Sequence, residues 1–226
     1  MNYVWDFGAV FKHFDMLLAG LAGTLKVTGL ALAFGIPIGL VLALLRLSQR
    51  RWISFPVGVA IEFLRSTPPL AQLFWVFFAL PILTGTRIDP FDAAVITFAL
   101  QSSAFFAEAF RAGIVSIERG QWEASRALGM RHEQTLRRIV LPQAIKRMIP
   151  VFMERAVELT KTTTLVGTVS YSDLLFKASE VAQQTYRPLE VYTVAALMYF
   201  AIIFPASLCV RQLERRLAVS GESTAH

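Results

Sequence analysis

The side chains best equipped for chemistry lie inside an apolar run. After Ile149 the chain carries Glu154, Arg155, Glu158 and Lys161, followed by Thr162, Thr163 and Thr164. A charge at the centre of a bilayer costs about 2.5–3.5 kcal/mol on insertion scales, so such residues face a bundle interior or water. Glu154, Glu158 and Lys161 recur at i, i+4 and i+7 and share one helical face. Glu158 stands three residues from both Arg155 and Lys161, the spacing of a helical ion pair. Thr162 extends the same face. An acid and a base side by side suit the handling of an ion or a zwitterionic solute; for Glu154 and Arg155 a position in the inner headgroup zone serves equally well. Gln101, Ser102 and Ser103 interrupt a second apolar run, where small polar groups bond to a neighbouring helix or meet a passing solute. The histidines, His13, His132 and His226, fall outside the apolar runs. Cys209 is the lone cysteine, so there is no internal disulfide and no Cys/His metal cluster. The sequence has no G-x-x-x-x-G-K-[ST] phosphate loop, so ATP, if used, is bound by another chain.

The elements that position these residues follow from composition. Of 226 residues, 55% are hydrophobic and 17% charged, against about 25% charged in soluble domains. Several apolar runs approach the roughly 20 residues that cross a bilayer. The chain reads as an all-α integral membrane protein with five spans. The first lies within Met16–Leu45, with Pro37 a candidate kink. The second runs to about Leu83 after an interfacial approach over residues 52–67 and a break at Pro68 and Pro69. The third covers about 92–110, the fourth 149–170 and the fifth 191–210. Residues 1–19 form an interfacial lead-in whose Trp5, Phe7, Phe11 and Phe14 suit an aromatic belt. Residues 20–216 form the transmembrane domain, and 217–226 a disordered cytoplasmic tail. No cleaved signal sequence is evident. With the N-terminus outside, the inner segments hold fourteen basic residues, eight of them between Arg111 and Arg147. The outer segments and the edge of the first span hold five: Lys12, Lys26, Arg87, Lys177 and Arg187. This places the N-terminus outside, the C-terminus inside and the central loop in the cytoplasm. It also explains the net charge of +6 by basic flanks rather than by a nucleic-acid partner.

The central loop, about residues 112–147, is polar and basic between apolar runs. Trp122 to Leu128 is a run of good helix formers with Glu123 expected in the first turn, where a carboxylate suits the helix dipole. Ala124, Ser125 and Ala127 are small enough to let another surface approach. Gly129 is a natural stop because it accepts the left-handed cap conformation. Pro142 is placed to open the next helix. The result is a compact knuckle, for which the bland alternative is an ordinary amphipathic loop.

Glu123-Ala124-Ser125, three residues, Gly129, nine residues, then Ile139, Leu141 and Pro142 resemble the EAA loop of ABC-transporter membrane subunits, with Ser125 in place of the second Ala. Thr24-Leu25, Arg65-Ser66-Thr67-Pro68, Glu108 with Arg111-Ala112-Gly113-Ile114, Gly120-Gln121 and Leu141-Pro142-Gln143-Ala144 resemble the polar amino-acid importer branch, whose members include glutamate/aspartate-type and glutamine-type permeases. Lys161-Thr162-Thr163-Thr164-Leu165 is similar to that branch's K-D-T-S-L segment, but Thr162 lacks the carboxylate. The resemblance implies a type I ABC importer permease fold and a membrane subunit that is not itself an enzyme and binds no cofactor. A cytoplasmic ABC ATPase dimer would bind ATP and Mg and dock on Gly120, Glu123, Ala124, Ser125, Gly129, Ile139, Leu141 and Pro142. A second permease subunit, identical or paralogous, would complete the pathway in the bacterial cytoplasmic membrane, with Glu158, Lys161, Thr162, Gln101 and Ser102 as candidate pathway residues. A periplasmic or lipid-anchored binding protein would deliver a polar or charged L-amino acid. The alternative is an ion-coupled secondary transporter using Glu158 and Lys161.

Overall fold

The computed structural model describes Tyr3–Glu222, and no strand occurs among the described residues. Hydrocarbon offers a backbone no hydrogen-bond partner, so a chain this apolar closes its amides within helices. A short α1 (Phe7–Phe11) precedes α2 (Phe14–Arg46), which accommodates Pro37 internally. Next come α3 (Arg51–Ser66) and, beyond the break at Thr67 and Pro68, α4 (Pro69–Phe74) and α5 (Leu80–Thr84) joined by a π-helical turn at Trp75–Ala79. Then follow α6 (Pro90–Val115), α7 (Arg119–Ala127) and α8 (His132–Thr135). A second π turn, Leu136–Val140, leads into α9 (Leu141–Thr162) and a 3-10 segment, Thr163–Val169. The chain closes with α10 (Leu174–Thr185) and α11 (Pro188–Glu222). The expected tail thus enters α11, and its last residues, 223–226, lie outside those described.

Three helices, α2, α6 and Pro188–Arg215 of α11, are long and apolar enough to cross a membrane, or up to four if the bent pair Arg51–Ser66 and Pro69–Thr84 is one span. That is fewer than the five expected. The segment expected as the fourth span is α9 with its 3-10 extension, and Glu154, Arg155, Glu158 and Lys161 lower its apolarity.

Two local departures from α-geometry have the same cause. Each π turn ends two residues before a proline, Pro81 or Pro142. A proline ring clashes with the carbonyl four residues back. The wider turn removes the clash, and the amides of Leu80 and Leu141 reach the carbonyls of Trp75 and Leu136. Pro142 therefore does not begin a new helix, as its sequence position suggested, but lies in a helical rod running on from α8. The 3-10 segment begins within a threonine run, Thr162–Thr164. Thr163 and Thr164 donate their hydroxyls to the carbonyls of Thr160 and Lys161, both at 2.8 Å, a local bond that competes with α-geometry.

The chain divides into two compact units. One comprises the chain up to Ala33, Thr67–Leu100 and Ala156–Ala206. Its first cluster gathers Val27, Leu73, Phe98, Leu159 and Val166; its second gathers Val10, Leu17, Leu174, Val181 and Val191. Glycines on α2 let the 171–174 turn sit close. A Cβ on Gly20 would lie 2.7 Å from the Asp173 carbonyl oxygen, and one on Gly23 2.5 Å from that of Ser172. The approach is used: Thr24 Oγ1 accepts from the Leu174 amide at 3.2 Å, and the Tyr171 hydroxyl donates to the Gly23 carbonyl at 3.3 Å. Asp173 caps α10 by accepting from the Phe176 amide at 2.8 Å. It is fully buried, and that burial raises its carboxyl above the usual carboxylate range.

The other unit comprises Phe34–Ser66, Gln101–Arg155 and the chain from Ser207 onward. Ala43, Ile61, Ala104 and Ala107 pack where small side chains let helices close up. A Cβ on Gly39 would meet Phe106 Cβ at 2.6 Å. A second cluster, Ile117, Val140, Ala144 and Met148, supports the central loop.

Gly23→Val is expected to lower the unfolding midpoint in detergent, because overpacking against an immobile backbone costs about 1–3 kcal/mol. Gly29→Ala on the same helix, where a Cβ meets nothing within 4 Å, should leave the midpoint unchanged. Equal midpoints for the two variants would contradict the packing described.

Candidate functional site

The knuckle is built from α7, a stop at Gly129 and α8. The helix α7 starts three residues earlier than the run Trp122–Leu128 suggested, with Glu118 at its N-cap. Glu123 is therefore in mid-helix, not in the first turn, and its helix-dipole role lapses. Gly129 has φ +70°. The amide of Met130 reaches the Ser125 carbonyl at 3.0 Å and that of Gly129 the Arg126 carbonyl at 2.9 Å. These are the two bonds of a Schellman stop. A Cβ at position 129 would meet nothing within 4 Å, so the glycine is required by its dihedral angle and not by crowding.

Ser125, the departure from the second Ala, is buried and has a partner for its hydroxyl. Its Oγ donates to the Trp122 carbonyl at 2.9 Å and accepts from Thr135 Oγ1 on α8 at 3.1 Å. The Trp122 ring stacks on His132 with centroids 5.4 Å apart. Gln134 Oε1 accepts from the Arg131 amide at 2.9 Å. Behind the knuckle, Trp122 and Leu136 pack on Ile117, Val140, Ala144 and Met148. One face is thus fixed to the cluster. The other exposes Gly120, Glu123, Ala124, Ala127 and Leu128, the last 79% accessible. Leu141 and Pro142 are also exposed, and Ile139 is half-buried. A Cβ on Gly120 meets nothing within 4 Å, so the chain's own packing sets no requirement for glycine there.

The charged residues of α9 divide by exposure. Glu154, Glu158 and Lys161 are exposed, Thr162 is half-buried and donates to the Glu158 carbonyl at 3.0 Å, and Arg155 is buried. Arg155 donates to Gln101 Oε1 at 3.1 Å and lies 4.0 Å over the Phe105 ring. Gln101 thus bonds to a neighbouring helix, the first of its two expected roles. Ser102 is fully buried, with no partner for its hydroxyl among the described residues. Sequence reasoning missed the Arg155–Gln101–Phe105 group. Its signal was a cation and an amide in apolar runs, but sequence alone did not pair them. The expected Glu108–Arg111 pair is formed, Arg111 Nε donating at 2.8 Å, and Glu62 lies 3.4 Å from Arg65.

Residues 35–219 match the family described as "Binding-protein-dependent transport system inner membrane component". The L-cystine transport system permease protein TcyB of Bacillus subtilis is 38% identical over 207 residues, covering 91% of this chain and 88% of that protein. The glutamine transport system permease protein GlnP of Escherichia coli K12 is 35% identical over 217 residues, covering 95% and 99%. A crystal structure of an amino acid ABC transporter with histidines superposes with TM-score 0.89 at 34% identity, covering 95% of this chain and 100% of that one. The inward-facing MetNI methionine ABC transporter superposes with TM-score 0.68 at 22% identity, covering 89% and 98%, a likeness of fold.

Gly129→Val is expected to destabilise the knuckle locally by about 1–2 kcal/mol, the cost of a left-handed residue bearing a Cβ. Gly129→Asn should cost less, since Asn tolerates that region. Ser125→Ala should cost about 1 kcal/mol or less, because Thr135 keeps the Arg131 carbonyl at 3.3 Å. Amide exchange over residues 119–140 would read all three, and equal protection in the Val and Asn variants would contradict the Schellman stop.

Proposed function

The chain belongs to the binding-protein-dependent transport system inner membrane component family, and on that premise we propose that it is the permease subunit of an ATP-driven importer carrying a polar or charged L-amino acid across the bacterial cytoplasmic membrane. The observation that carries this reading is the knuckle: a short helix stopped by Gly129, seated on an apolar cluster, with Ala124, Ala127 and Leu128 turned outward. Small side chains around one protruding apolar residue suit insertion into a groove of a cytoplasmic ATPase. The open space at Gly120 supports close approach by that partner. The ATPase supplies the ATP and Mg chemistry. Transport is coupled if the knuckle makes different contacts in the ATPase's open and closed states, so that nucleotide biases the membrane helices between two arrangements.

In the same reading there are five spans, with α9 and its 3-10 extension as a polar span whose exposed Glu158 and Lys161 and half-buried Thr162 face a pathway completed by a second permease subunit. The N-terminus is outside, the C-terminus inside, and a binding protein delivers the solute from outside. The relatives named for cystine and glutamine support an amino acid as cargo. The neighbouring acid and base on α9 suit the ammonium and carboxylate groups of such a solute.

Thiol labelling in a Cys209→Ala background should find position 129 reachable from the cytoplasm and position 87 from outside. In proteoliposomes with the ATPase and binding protein, Glu123→Lys should lower substrate-stimulated ATP hydrolysis while leaving insertion intact. Glu158→Gln should slow uptake more than Glu154→Gln. External labelling at 129, or full stimulation by the Glu123→Lys protein, would overturn the proposal.

A further inference from the structure

A groove of about 430 Å³ opens among α3, α6 and α9, lined by Arg65, Phe105, Glu108, Ser116, Arg147 and Met148 among others. Its charges do not cancel. The Glu108 carboxylate is held by Arg111 on its own helix. Arg147 has no acidic partner among the described ion pairs. Its guanidinium bonds through one nitrogen to the carbonyl of Ser116 and, at 3.1 Å, to that residue's hydroxyl. Arg65 lies 3.4 Å from Glu62 and 5.4 Å from the centre of the Phe105 ring, and its Nε is buried with no hydrogen-bond partner. Two guanidiniums with spare donors line one depression. A planar fork of N–H groups matches phosphate oxygens.

The rim decides which phosphate. Val151 on α9 lines the groove, Val115 at the end of α6 directly precedes the lining residue Ser116, and both are exposed. A soluble anion would leave these side chains in water, whereas acyl chains would cover them. We propose that the groove binds an anionic phospholipid, with its phosphate between Arg65 and Arg147 and its acyl chains along Val115 and Val151. Basic pockets between membrane helices on the cytoplasmic side are general sites for acidic headgroups. The inference rests on the reading that residues 112–147 are cytoplasmic.

The test uses the purified full-length chain, delipidated in mild detergent and titrated by native mass spectrometry with phosphatidylglycerol or with phosphatidylcholine of identical acyl chains. Phosphatidylglycerol is expected to bind about tenfold more tightly, because phosphatidylcholine carries the same phosphate with a quaternary ammonium that the two guanidiniums repel. Arg147→Gln and Arg65→Gln should abolish that preference, Arg147→Lys should keep part of it, and Arg137→Gln, outside the groove, should leave it whole. If Arg65→Gln fails to fold, the Arg147 pair decides. Equal binding of the two lipids, retained preference in Arg147→Gln, or displacement by glycerol 3-phosphate at the same concentration as the lipid would overturn the site. Lost preference with intact amino-acid uptake supports the site while leaving the transport reading untouched. Lipid preference without uptake in the complete complex would refute the transport reading and leave the site standing.

Discussion

A backbone in hydrocarbon must satisfy its own amides, and the rest of this fold follows from that constraint. It makes the described chain helical and sets the terms on which irregular residues are admitted. Pro81 and Pro142 are each preceded by a π turn that removes the clash and carries the helix through. Thr24 and Thr28 on α2 donate their hydroxyls to the Gly20 and Thr24 carbonyls. At one of the places where the backbone leaves a helix, 170–173, glycines on α2 bring it close enough for Thr24 to accept from the Leu174 amide.

The knuckle obeys the same constraint where water is available. The stop after α7 is made by two backbone bonds that a positive φ at Gly129 permits. Because the turn pairs its own carbonyls, it needs no support from the outer face, and that face remains open. The inner face is fixed by Trp122 and Leu136 on their apolar cluster and by the Ser125–Thr135 bond. An element held rigidly on one side and exposed on the other can transmit displacement to α9, with which it is continuous through the second π turn.

The turn at Gly129 was legible in the sequence because a glycine after a short run of helix formers has few other uses. The break at Pro68 and Pro69 was legible for a similar reason. The start of α7 was not, since Glu118 makes no side-chain cap that would mark it. The α9 segment was read as a span with a polar stripe, because Glu154, Glu158 and Lys161 recur at i, i+4 and i+7. What spacing did not reveal is that Arg155 turns inward while Glu154, Glu158 and Lys161 stay exposed. Ser125 was visible as a departure, but its partner lies ten residues away across a turn. The groove between Arg65 and Arg147 was invisible, since it joins three segments far apart in sequence.

The central claim is that the outward face of α7 is the seat of a cytoplasmic ATPase. The most direct measurement places a cysteine at the protruding position, Leu128→Cys in the Cys209→Ala background, and follows its reaction with a water-soluble thiol reagent. In the free permease the site should react fast, as its exposure requires. Adding the cognate ATPase should protect it, and ATP should change the degree of protection, while a cysteine at position 87 should be unaffected by either. Equal reactivity at position 128 with and without the ATPase would contradict the claim.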